Sequence, residues 1–167
     1  MKTNYTIILA GTLLTIWQFQ IRNVELFNSA AGYFLILLGI MREEKRLALK
    51  EYRYASRLAI ALGALELLYL ILVGWLRPGN FGLLALANAR LALPPLLFYY
   101  LIKADYLWKP RRRTRLYLQV FFFTGAAYII LLLFATLSPL AGVLFIVGSA
   151  LYLTLLFYTL LQLRQLA

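Results

Sequence analysis

Two residue types are missing from this chain of 167 residues: it has no cysteine and no histidine. The first absence excludes disulfides and thiolate nucleophiles, and the second removes imidazole bases and most zinc and haem ligands. Negative charge is scarce too, with six Asp and Glu against 17 Lys and Arg. Asp105 is the only aspartate and is expected in a basic loop, while Glu25, Glu43, Glu44 and Glu51 lie at or outside the ends of the apolar runs. The paired membrane carboxylates that hold a metal or cleave a peptide bond are therefore missing, and a serine nucleophile would have no histidine base. Neither an enzyme nor a metal or cofactor site is expected.

What the chain has instead is apolar length. Hydrophobic residues make up 63% and charged residues 14%, the latter well below the roughly 25% of a soluble domain. A bilayer core about 30 Å thick takes roughly 20 apolar residues per spanning helix. Apolar runs bounded by charge or turn residues predict helices at about 4–20, 28–42, 57–76, 81–102, 116–136 and 140–162. The expected fold is all-α, a polytopic bundle of about six transmembrane helices forming one transmembrane domain over 1–167. The first two helices are short, a mismatch met by thinning the bilayer or by lying partly at its interface. The run from Ile7 to Trp17 behind Lys2 has the outline of a signal peptide. Gln18, Gln20 and Arg22 stand where a cleavage site would be, so it reads as an uncleaved helix. Asn28 or Ser29 can cap the second helix, Arg77-Pro78-Gly79-Asn80 reads as a turn, and Ser138-Pro139 starts the last helix.

Positive charge decides the expected orientation. With the amino terminus in the cytoplasm, Lys2, the six positives between 42 and 57, the six from Lys103 to Arg115, and Arg164 all fall inside. Only Arg22 and Arg77 fall outside. Trp17 and Trp75 then mark the outer boundary, and Tyr52, Tyr54, Tyr106 and Trp108 the inner one. The stretch 42–57, which mixes its positives with Glu43, Glu44 and Glu51, reads as a solvated face extending the helices beside it. Both termini are therefore expected in the cytoplasm.

Glu66 and Arg90 are the two charged side chains inside the long apolar runs, each about twelve residues from the centre of the predicted turn between them. An ionisable residue at a helix centre costs about 2.5–3.5 kcal/mol on insertion scales, and opposite charges at matched depth can pair. Ala59, Gly63, Glu66, Leu70 and Val73 share one helical stripe whose small residues permit close approach, which turns Glu66 toward protein. On the next helix Asn88 and Arg90 point to nearly opposite sides, so this helix is expected to sit centrally. Pro94 and Pro95 cannot donate to the carbonyls of Arg90 and Leu91, which predicts a kink and freed carbonyls tolerated only beside protein or a water-filled cavity. Glu66, Asn88 and Arg90, with Tyr69 and Tyr99 lining the approach, form the candidate ligand-binding centre.

At the expected inner interface, Lys109, Arg111, Arg112, Arg113 and Arg115 form the densest charge run. Each such residue contributes about 1 kcal/mol of attraction to an anionic leaflet, so the run is a candidate lipid-headgroup site as well as a topology signal. No nucleic-acid-reading element accompanies it. Expected partners are the bilayer, anionic lipids at the cytoplasmic face, and a membrane-protein partner or a second copy of the chain.

The stretch Gly11 to Gly39, with Trp17-Gln18-Phe19-Gln20-Ile21 followed by Gly32-Tyr33-Phe34-Leu35-Ile36-Leu37-Leu38-Gly39, resembles the amino-terminal hairpin of small uncharacterised integral membrane proteins of Firmicutes. The likeness covers about thirty residues, departs from the group where Asn28-Ser29 stands in place of a Pro-Asp pair, and implies a bacterial plasma-membrane protein without assigning an activity. In size the chain is similar to the substrate-binding subunits of vitamin importers. Two functions stay open: binding a small ligand, ion or lipid at the mid-membrane centre in a transport-related role, or acting as a regulatory or accessory subunit in which Glu66–Arg90 is a structural salt bridge.

Overall fold

The computed structural model describes residues 2–16, 20–21, 24–25, 28–75, 81–134 and 139–166. The predicted turn from Arg77 to Asn80, together with Trp17, Arg22 and Ser138, lies outside the described residues. Helix α1 (Lys2–Ile16) and helix α2 (Asn28–Leu47) are joined by a two-residue antiparallel ladder, β1 (Gln20–Ile21) with β2 (Val24–Glu25), in which Gln20 faces Glu25 and Ile21 faces Val24. Then come α3 (Lys50–Trp75), α4 (Phe81–Ala92), α5 (Pro94–Trp108), α6 (Arg112–Phe134) and α7 (Pro139–Leu166). The all-α expectation holds.

The number of spans does not. Among the described residues four stretches are long and apolar enough to cross a membrane: Lys50–Val73, Phe81–Trp108, Arg112–Phe134 and Gly142–Gln165. The expected six included the first two helices. Helix α1 has 15 residues, about 22 Å at 1.5 Å per residue, short of a 30 Å core. Helix α2 has 20 residues, but its last turns carry Arg42, Glu43, Glu44, Lys45 and Arg46. The two instead form a short hairpin against the long helices, with α1 next to α7 and α2 next to α3.

Glycine brings the hairpin together. A Cβ built on Gly11 would lie 2.6 Å from the Gly32 carbonyl oxygen, and one on Gly32 equally close to that of Gly11. Only residues without a side chain permit this backbone approach. At its other end α2 stops at Leu47, where Ala48 takes a left-handed φ of 51° and its N–H caps the Glu44 carbonyl at 2.8 Å. This geometry is usually given to glycine.

The bundle is packed unevenly along its length. The fully buried side chains include Tyr5, Ile8, Ile36, Ile40, Tyr52, Leu62, Leu97, Leu101, Ile102, Leu156 and Leu160, most of them in the half nearer the basic helix ends. Toward the opposite end Leu68, Ile71, Trp75, Phe81, Ile130, Leu133, Val143 and Val147 are exposed. In α3 the buried positions Tyr52, Ala55, Ser56, Ala59, Leu62 and Glu66 follow helical spacing and end at Glu66. Val73, expected on the same stripe, is exposed.

The helix carrying Arg90 breaks where expected. Leu93 is a bend between α4 and α5, and Leu96 N, the next donor after the two prolines, bonds to the Leu93 carbonyl at 3.0 Å. Helix α4 is not central, however, and has no buried residue. A long arginine side chain reaches inward from a peripheral helix, so its charge does not require a central backbone.

A candidate ligand chamber at the broken helix

Arg90 reaches across from α4 and grips Glu66 on α3 side-on. Its Nε donates to Glu66 Oε1 at 2.9 Å, and Nη2 lies 2.7 Å from Oε2. Charge-assisted two-point contacts of this kind are the strongest an arginine makes. The Tyr69 ring, one turn above Glu66, covers the guanidinium carbon at 3.8 Å, adding a cation–π attraction. Tyr69 thus holds Arg90 in place and is not part of the chamber lining.

The pair forms part of the wall of a chamber of about 360 Å³. Every helix contributes: Thr12 and Thr15 from α1, Ser29 and Tyr33 from α2, Glu66 from α3, Arg90 from α4, Pro94, Pro95 and Phe98 from α5, Tyr128 from α6, and Ser149 and Tyr152 from α7. The chamber therefore takes in the helix break, where Pro94 and Pro95 withhold donors from the carbonyls of Arg90 and Leu91. On the side toward the basic helix ends lies the packed apolar core.

The hydroxyls around the chamber fall into two groups. Thr12, Thr15 and Ser149 donate to carbonyls of their own helices, those of Ile8, Thr12 and Phe145, at 2.7–2.8 Å. Their oxygens keep lone pairs but no free proton. The phenols differ: the Tyr152 hydroxyl is buried without a hydrogen-bond partner among the described residues. Tyr128 and Tyr152 stack at 5.1 Å with 28° between their planes, and Phe145 packs on Tyr128 at 5.4 Å.

The other sequence candidates lie elsewhere. Asn88 is exposed on α4 and outside the lining, and Tyr99 packs its ring against Tyr100 and Phe122 at 5.7 Å. Charge marks Glu66 and Arg90 in the sequence, whereas Tyr33, Tyr128 and Tyr152 carry no such mark, because a tyrosine in an apolar run looks like any core aromatic.

A second polar cluster ties the hairpin to the bundle at the basic end. Tyr5 donates to Asp105 Oδ1 at 3.0 Å and meets the Tyr52 hydroxyl at 3.4 Å, joining α1, α5 and α3. Burial, then the fields of Tyr52 and Asp105, push the Tyr5 phenol well above its usual value and keep it a neutral donor. Asn4 donates to Glu43 at 2.6 Å, and Arg46 lies 3.4 Å from the same carboxylate. Two expectations change here. Asp105 is a buried residue of α5 and not a loop residue, and Glu43 is fully buried and not on a solvated face. Both were misplaced because basic neighbours in sequence look like solvent, although these carboxylates turn inward to partners on α1.

In the basic run, Arg112, Arg113 and Arg115 are exposed and border a cleft with Leu116 and Gln119, while Lys109 lies over the Trp108 ring at 4.1 Å. Arg111 is half-buried beside them. Among the described residues no three acidic, cysteine or histidine side chains gather as a metal site. No protein-family model, curated protein or solved structure matches this chain.

Proposed function

We propose that this is a bacterial plasma-membrane protein, both termini in the cytoplasm, that binds a small molecule in the chamber beside Glu66 and Arg90 in a transport-related role. The observation that carries the reading is the chamber itself. Side chains from every helix, polar ones from all but α5, converge on a space of about 360 Å³, within the range of about 300–1,000 Å³ typical of small-molecule sites. The four apolar spans fit an integral membrane protein. The basic run, with Arg112, Arg113 and Arg115 exposed, suits anionic lipid headgroups at the cytoplasmic face.

The test is native mass spectrometry of the protein released from its own membrane. A retained small molecule of fixed mass, lost on Glu66→Gln while the protein stays folded, is the expected outcome. A bare monomer carrying only mixed lipid would overturn the reading.

One observation favours the second reading, an accessory subunit with a structural pair. Glu66 and Arg90 already satisfy each other at two points, and Tyr69 covers them. In that case Glu66→Gln lowers stability and changes nothing else.

A further inference from the structure

We infer that the chamber is shaped for a flat, uncharged ring molecule bearing hydrogen-bond acceptors such as ring carbonyls, and not for an ion. The inference rests on the ligand-binding reading above and names the class of ligand.

Charge is the first reason. The wall is neutral overall because Glu66 and Arg90 are matched at two points. An anion that drew Arg90 away, or a cation that drew Glu66 away, would leave the other charge unpaired among apolar groups. That penalty is worth more than about a hundredfold in affinity.

Hydrogen bonding is the second reason. Thr12, Thr15 and Ser149 have spent their protons on their own helices. The phenols of Tyr33, Tyr128 and Tyr152 have no hydrogen bond among the described residues, and that of Tyr152 is buried besides. Apart from the guanidinium N–H groups of Arg90 that Glu66 leaves over, the unspent donors of the lining are neutral hydroxyls, and their complement is a neutral acceptor. A buried hydroxyl without a partner lowers stability, so a ligand oxygen that reaches it supplies what the protein lacks.

Shape is the third reason. The rings of Tyr33, Phe98, Tyr128, Phe145 and Tyr152 line the chamber, and Tyr128 and Tyr152 are stacked within 28° of parallel. Aromatic faces and edges favour a flat π-system. A space of about 360 Å³ holds a small ring system.

The experiment uses the full chain in detergent and three naphthalene probes of similar size: naphthoquinone, neutral with two carbonyls; naphthoate, an anion; and naphthylmethylammonium, a cation. The chain has no cysteine, so the quinone meets no thiol. Binding is read by fluorescence quenching and by the shift in thermal unfolding midpoint. Naphthoquinone is expected to bind saturably and at least about tenfold more tightly than either ion. Tyr33→Phe and Tyr152→Phe should each weaken it roughly fivefold to tenfold. Without probe, Tyr152→Phe should unfold no earlier than the parent, because the hydroxyl it removes has no partner. Tighter binding of either ion overturns the ligand class, as does quinone binding that neither tyrosine variant alters. Absence of saturable quinone binding also overturns the class, and the binding reading falls with it only if native mass spectra come out bare as well.

Discussion

Glu66→Gln keeps the length of the side chain but removes the charge that Arg90 grips from Nε and Nη2. The guanidinium is then left without a counterion in an apolar wall, a change worth about 3 kcal/mol at a buried site. The expected result is a clearly lower unfolding midpoint in detergent, partly recovered in the double variant Glu66→Gln with Arg90→Gln, where no charge is stranded. Tyr69→Leu tests the other contact on Arg90. It removes a cation–π partner worth about 1–2 kcal/mol when desolvated, and the same melt should show a smaller loss than Glu66→Gln. Ala48 offers a change of opposite sign. Its left-handed φ of 51° costs a residue with a Cβ about 1–2 kcal/mol, part of which glycine gives back through unfolded-chain entropy. Ala48→Gly should therefore raise stability by roughly 0.5–1 kcal/mol, read as a higher midpoint with unchanged helix content.

At the level of elements, the α1–α2 hairpin and the α4–α5 break each depend on a pair of residues. The contact between Gly11 and Gly32 has no room for a Cβ on either helix. Gly32→Leu should drive the hairpin helices apart and pull Thr12, Thr15 and Tyr33 out of the chamber wall, because all three sit beside that contact. Spin-label distances between α1 and α2 would report the separation, and an unchanged distance would show that the glycines are not what holds them. Pro94 and Pro95 act oppositely, by withholding two backbone donors. Replacing both with alanine restores donors for the carbonyls of Arg90 and Leu91. The expected outcome is a straighter α4–α5 rod, seen as a longer distance between labels at Leu84 and Leu107, which are both exposed.

At the scale of the molecule, packing and charge run along the same axis, with the dense core at the basic helix ends and the chamber beyond it. The proposed orientation is tested by cysteine labelling, for which a chain without cysteine needs no background removed. A membrane-impermeant maleimide applied to intact cells should label Phe81→Cys and leave Lys109→Cys unlabelled until the membrane is opened; the reverse pattern would invert the topology. Much of this was legible in the chain. Continuous apolar runs determined an apolar, all-α protein, because in lipid a helix satisfies its own backbone polar groups, whereas the strands of a barrel would alternate apolar and polar residues. The isolated charges of Glu66 and Arg90 and the adjacent prolines 94 and 95 gave the position of the pair and of the break, since each is a local fact about one or two residues. What only the tertiary structure decided was everything that depends on which faces meet: that two apolar helices are a short hairpin and not spans, that Asp105 and Glu43 turn inward, that Asn88 and Tyr99 turn away. It also decided that three ordinary tyrosines, on α2, α6 and α7, surround one chamber, because residues far apart in sequence become neighbours only once the helices pack.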